Sequence, residues 1–128
     1  MTRKMARWKT RGASTDAPLL YVELADTFWR RFFGLMGRKA IAPSHALLIV
    51  PCSGVQMCFM RFAIDVVFLK RRESIGGWQV LKVDYGLRPW IGLGFCREAD
   101  AALEMGKGEA ERLNVEPGTV WEELRSDG

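Results

Sequence analysis

Residues 62–69, FAIDVVFL, set one carboxylate, Asp65, among seven apolar residues. No other stretch restricts the fold as much. Its β-branched and aromatic content predicts a strand, and side chains of a strand alternate between two faces. Phe62, Ile64, Val66 and Phe68 then share a face turned to the core. Arg61, Ala63, Asp65, Val67 and Leu69 share the other, which is too apolar to be left to water. Such a strand needs packing on both sides of its sheet.

An unpaired ionised carboxylate between two layers costs more than a domain can spare. Asp65 must take donors from backbone or side chains, or stay protonated. Arg61 is too far along its own strand, since four residues span roughly 13 Å. The segment RRFFGLMGR offers Arg30, Arg31 and Arg38. Arg31 is the expected partner and Arg38 the second choice, in a bidentate pair that fastens a helix to the sheet. Asp65→Asn would then leave a buried guanidinium uncompensated, at about 3 kcal/mol. A pair of this kind more often fixes packing than performs chemistry.

The rest of the chain reads as short strands. They are LLYVELAD (19–26), HALLIV (45–50), GVQMCFMRF (54–62), AIDVVFLK (63–70), WQVLKVDY (78–85) and TVWEEL (119–124). RRESIGG forms the connection of a hairpin. ADAALEM (99–105) suits strand or helix. One short helix is predicted over about residues 27–36, with Phe28, Phe32 and Met36 on its inner face, and another within GEAERLNVEPG. The expected class is α+β, mainly antiparallel β, a curled sheet that is barrel- or sandwich-like, with one or two short helices.

Charge is unevenly placed. Residues 1–12 hold Arg3, Lys4, Arg7, Lys9 and Arg11 and no acid; without those five, 14 basic residues face 15 acids. The net charge of +4 therefore belongs to one end of the chain. We read residues 1–17 as a flexible basic tail and 18–128 as a single β-rich domain. Such a tail binds nucleic acid weakly, without sequence preference and with steep salt dependence. No apolar run is long enough for a membrane span or a signal core. The expected location is cytoplasmic for the chain as written, and export if its start lies upstream.

Chemical signatures are few. Cys52, Cys58 and Cys96 lack metal-ligand spacing and read as reduced core thiols, and His45 is the single histidine. No cofactor or metal is expected, because no nucleophile elbow or phosphate-binding glycine loop is present. The enzyme-like option is a carboxylate pair, Asp65 with Glu104, one charged and one protonated.

Four pieces in order, RFFGLMGR (31–38), FAIDVVFLK (62–70), RPW (88–90) and ALEMGKGEAERLNVEPG (102–118), resemble domain-of-unknown-function family 192. Arg31, Gly34, Leu35 and Met36 match its first motif, Asp65 its acid, and Glu104 with Gly106 its third. Gln56 replaces a histidine common in relatives, Ala63 a proline and Thr119 an aspartate, and the first change argues against imidazole chemistry there. The resemblance implies a mostly β domain without an assigned function, and relatives that are often exported. The favoured expectation is a non-catalytic binding or accessory domain for a small molecule or protein. Its surface would lie near an Arg31–Asp65 contact, with Arg38 beside it and Met36, Met60 and Trp90 as apolar lining. The alternatives are a hydrolase-like enzyme using Asp65 and Glu104, and a nucleic-acid-associated protein acting through the tail.

Overall fold

The apolar run around Asp65 becomes strand β5 (Ile64–Arg72) of a computed structural model that describes residues 5–12, 17–25, 40–50, 52, 54–56 and 62–124. Its first six residues are all buried, so both faces are covered. Before it come β1 (Met5–Thr10), β2 (Leu20–Ala25), β3 (His45–Ile49) and β4 (Gly54–Gln56). After it come β6 (Gly77–Leu87), β7 (Leu93–Phe95), β8 (Ala101–Gly106), the short helix α1 (Glu109–Arg112) and β9 (Val120–Leu124). A 3-10 turn at Glu73–Ile75 joins β5 to β6.

Seven strands close into a barrel in the order β1-β2-β3-β8-β5-β6-β9, while β4 and β7 form a separate two-stranded sheet. Barrel closure removes exposed sheet edges. The sheet is mixed: β2 pairs with β3 in parallel, and the other described pairings are antiparallel. ADAALEM resolves as a strand because β8 runs between β3 and β5, where its side chains are buried on both faces. The helix expected at 27–36 lies outside the described residues.

Two apolar clusters follow from the alternation. Trp8, Leu20, Val22, Ala46, Leu48, Val67, Leu69, Val80, Leu103, Met105 and Trp121 belong to the first, which fills the barrel. Ile41, Leu47, Ile49, Ile64, Val66, Phe68 and Ala102 form the second, on the outer face. Strand β7 lies on that outer layer through Gly94. A β-carbon there would stand 2.6 Å from Asp84 Oδ2 and 3.4 Å from Phe68. The alternation of β5 is as expected, but the barrel's interior lies on the Asp65 side and not on the Phe62 side.

The boundary expected at residue 17 is corrected in part. Met5–Thr10 is not a flexible tail but a barrel strand, paired with β2 on one edge and β9 on the other. The reason is Trp8, 2 % exposed, whose ring centroid lies 6.0 Å from that of Trp78 and 6.0 Å from that of Trp121. Arg7 on the strand and Arg11 just after it are exposed, and Arg11 Nε donates to Glu122 at 2.8 Å. Basic residues at alternate positions are compatible with a strand wet on one face. Arg3 and Lys4 lie outside the described residues.

Trp8→Ala is expected to cost about 3–5 kcal/mol, measured by urea unfolding followed by circular dichroism. Deleting residues 1–12 should abolish the cooperative transition. A tail that takes no part in the fold would leave both curves unchanged.

Candidate functional site

Asp65 is 1 % exposed and points to the interior side of β5, in register with Met105 of β8. Across from it β6 carries an extra residue: Ile64 pairs with Leu87 but Val66 with Asp84. Gly86 lies in this bulge at φ +58, a conformation that a side chain would make costly. The bulge turns the Gly86 N–H onto Asp65 Oδ1, which accepts it at 2.8 Å. Oδ2 accepts the N–H of Gly108 at 3.0 Å and of Ala110 at 3.1 Å, at the start of α1.

The donors observed on Asp65 are main-chain ones. Three main-chain donors, from two other elements, satisfy the carboxylate, and hydrogen bonds to an ionised acceptor are the strong kind. Arg31 and Arg38, the expected partners, lie outside the described residues, as do Met36 and Met60. Trp90 is exposed at φ +69, in the loop between β6 and β7.

The proposed carboxylate pair does not form. Asp65 is in register with Met105, and Glu104 with Val66. Paired residues share a face, so Asp65 looks into the barrel while Glu104 belongs with the outer layer. Both are buried, Glu104 at 0 % exposure. Two acids on opposite faces of one sheet cannot exchange protons with a single substrate.

The remaining candidates have structural settings. His45 stacks on Tyr21 with centroids 5.4 Å apart, its Nδ1 3.0 Å from the Pro43 carbonyl. Cys52 donates through Sγ to the Gly54 carbonyl at 3.1 Å. Around α1, Arg112 donates from Nε and Nη2 to the Glu109 carboxylate at 2.8 and 2.6 Å, and the Ser44 N–H adds a third bond at 3.1 Å. The Arg112 guanidinium, helped by that amide, holds the Glu109 carboxyl below the usual carboxylate range. The Arg71 N–H, with Lys70 beside it, does the same for Asp100.

The two ends of the barrel differ. At the Asp65 end, α1 and the turn after it put Ala110 and Val115 into the interior cluster as a plug. At the other end, where β5 runs out, a cavity of about 500 Å³ opens between strands. Met5, Val22, Leu24, Leu48 and Val50 line it with the indoles of Trp8 and Trp78, and its charged residues are Arg71 and Glu123. The two indoles stack at an interplanar angle of 17°, and Arg71 sits 5.5 Å above the Trp78 ring. A reading along the chain misses this site because its walls come from six strands. The local signal was MARWKT, whose alternation sets Ala6 and Trp8 on one face.

The family model described as "Uncharacterized ACR", domain-of-unknown-function family 192, matches residues 9–122. The chain belongs to this family. A UPF0127 protein of Pyrococcus furiosus is 38 % identical over 103 residues, covering 76 % of this chain and 81 % of the relative. A crystal structure from Sinorhizobium meliloti, described as a candidate transcription regulator, is 26 % identical with a TM-score of 0.78 and 96 % of each chain covered. A protein of unknown function from Novosphingobium aromaticivorans shares the fold at a TM-score of 0.72 and 18 % identity, over 95 % of this chain and 93 % of its own. The matched range includes Asp65 and the turn and helix start whose Gly108 and Ala110 amides hold it.

Asp65→Asn keeps the shape but turns an amide N–H₂ against one of the three N–H donors. We expect a loss of about 2–3 kcal/mol, the cost of an unsatisfied buried donor and a lost charge-assisted bond. Urea unfolding measures it, and a change under about 0.5 kcal/mol would mean the amides do not hold the acid. The Glu109 contribution has a definite pH sign. Because its folded carboxyl titrates below the unfolded one, the stability it adds is full above the unfolded value and is lost as pH falls through the folded one. Glu109→Gln should therefore lose less melting temperature than the wild type between about pH 5 and 3. Equal losses would assign the acid sensitivity to other groups.

Proposed function

We propose that this family member is a non-catalytic binding domain that takes a small, apolar-bodied molecule in the open mouth of its barrel. The observation that carries this reading is the contrast between the ends: one plugged by α1, the other opening on a cavity of about 500 Å³. That volume falls among those of small-molecule sites, roughly 300–1,000 Å³, and small barrels commonly use their mouths so. The lining suits binding more than chemistry, since aliphatic side chains and two indoles make up most of it. The two buried acids serve no common cavity, which removes the strongest case for acid–base catalysis.

Nucleic-acid binding through residues 1–12 is less favoured. Trp8 commits β1 to the barrel, and Arg11 is engaged with Glu122. The description of the Sinorhizobium protein as a regulator is compatible with a binding domain and does not by itself supply a nucleic-acid surface here.

The test is isothermal titration calorimetry with 1-decanol, a neutral probe with an apolar chain, below its solubility limit. Saturable binding to the wild type is expected, with loss of at least tenfold in Leu24→Trp, which crowds the rim from a position that is 36 % exposed. An absence of saturable binding, or equal binding to that variant, would overturn the reading.

A further inference from the structure

The run that ends β5, Lys70-Arg71-Arg72, lies beside the barrel mouth and gives it a chemical preference. A second depression, of about 540 Å³, adjoins the mouth and is bordered by Lys70, Arg71, Arg72, Glu73 and Asp100. Val50, Arg71 and Trp78 line both hollows. Arg71 is therefore the charged residue common to the two.

The three cations are engaged differently. Lys70 Nζ is 3.3 Å from Asp100 Oδ1, and that acid also accepts the Arg71 main-chain N–H at 3.0 Å. Lys70 and Asp100 cancel each other. Arg72 donates from Nε to Gln79 Oε1 at 2.8 Å, a neutral partner. The Arg71 guanidinium has no carboxylate partner among the described residues, and its position over the Trp78 indole is set by a cation–π contact. A guanidinium held over a ring and not spent on a carboxylate has N–H groups to offer an anion, with the planar fork that suits a carboxylate.

The stack runs Trp8, Trp78, Arg71, from an indole 2 % exposed to an exposed cation at the rim. An apolar body lying on the indoles inside the barrel leads outward to a guanidinium. We infer that the mouth selects amphipathic anions, molecules with an alkyl or aryl body and one carboxylate, and that Arg71 is the residue that receives the carboxylate. Glu123 opposes this, since it lines the inner hollow. It stands exposed on β9 with no stacking contact to fix it, and it borders only one of the two hollows. The site thus selects by charge at its rim and by shape within.

This inference rests on the mouth being a binding site, and the test separates the two. Decanoate, 1-decanol and decylamine, which share a ten-carbon chain, are titrated below micelle formation into the wild type, Arg71→Gln and Glu123→Gln. Decanoate is expected to bind at least tenfold tighter than decanol, and decylamine weakest. Arg71→Gln should remove the preference, bringing decanoate and decanol to within twofold of each other, and Glu123→Gln should tighten decanoate. Equal affinity for decanoate and decanol in the wild type, or a preference that survives Arg71→Gln, would overturn the charge inference and leave the mouth as a site. Failure of all three probes would overturn both. Circular dichroism of each variant at the titration temperature excludes unfolding as the cause of lost binding.

Discussion

The Asp65 carboxylate ties the bulge of β6 and the start of helix α1 to one point of β5. Helix α1 has four residues, too few to persist by its own hydrogen bonds, since a helix pays for nucleation before it gains from propagation. Its first N–H groups are free of intrahelical partners, and Gly108 in the left-handed region places its amide with that of Ala110 on a single oxygen. The other oxygen takes the amide that the β6 bulge would otherwise leave unpaired. One side chain thus satisfies three backbone donors at the end of the barrel. Without it, the bulge and the helix start would both be defects.

That arrangement constrains chemistry as well as fold. An acid with three amide donors already on its oxygens has little lone-pair capacity left for a substrate, and its burial excludes one. Glu104 is separated from it by the pleat of β8, not by distance along the chain: consecutive residues of one strand look to opposite sides. Met105 follows the interior and Glu104 the outer layer, because β8 sits between β3 and β5 and is covered on both faces. A sheet buried on two sides can hide two carboxylates one residue out of phase and never bring them together.

Much of the barrel was legible in local pattern. The period-two run of β5, the charged hairpin turn after it, the short helix near 109 and the final strand each follow from residues adjacent in sequence. What was not legible depends on partners. Asp65 advertises a need for donors, but main-chain amides have no residue letter, so an arginine was the only visible candidate. Trp8 lies among cations whose charge dominates a reading by composition, and its burial becomes evident only when Trp78 and Trp121 are beside it. The parallel pairing of β2 with β3 likewise depends on the route taken between residues 25 and 45. The mouth is the extreme case, since none of its walls is formed by one segment alone.

The same barrel geometry bears on why the hollow at the unplugged end, about 500 Å³, exceeds the one of about 270 Å³ beside α1. Interior side chains near the plug are supplemented by Ala110 and Val115 from outside the sheet, which fill the lumen there. At the far end the indoles of Trp8 and Trp78 stack with each other, and two stacked rings occupy a narrow slab of space. Both indoles line the hollow beside them. The stack also sets where the rim's charge can stand, because the outer indole face is the surface on which Arg71 rests. Trp78 thus serves cavity and cation at once, and a change there should disturb both the shape of the mouth and the placement of its guanidinium.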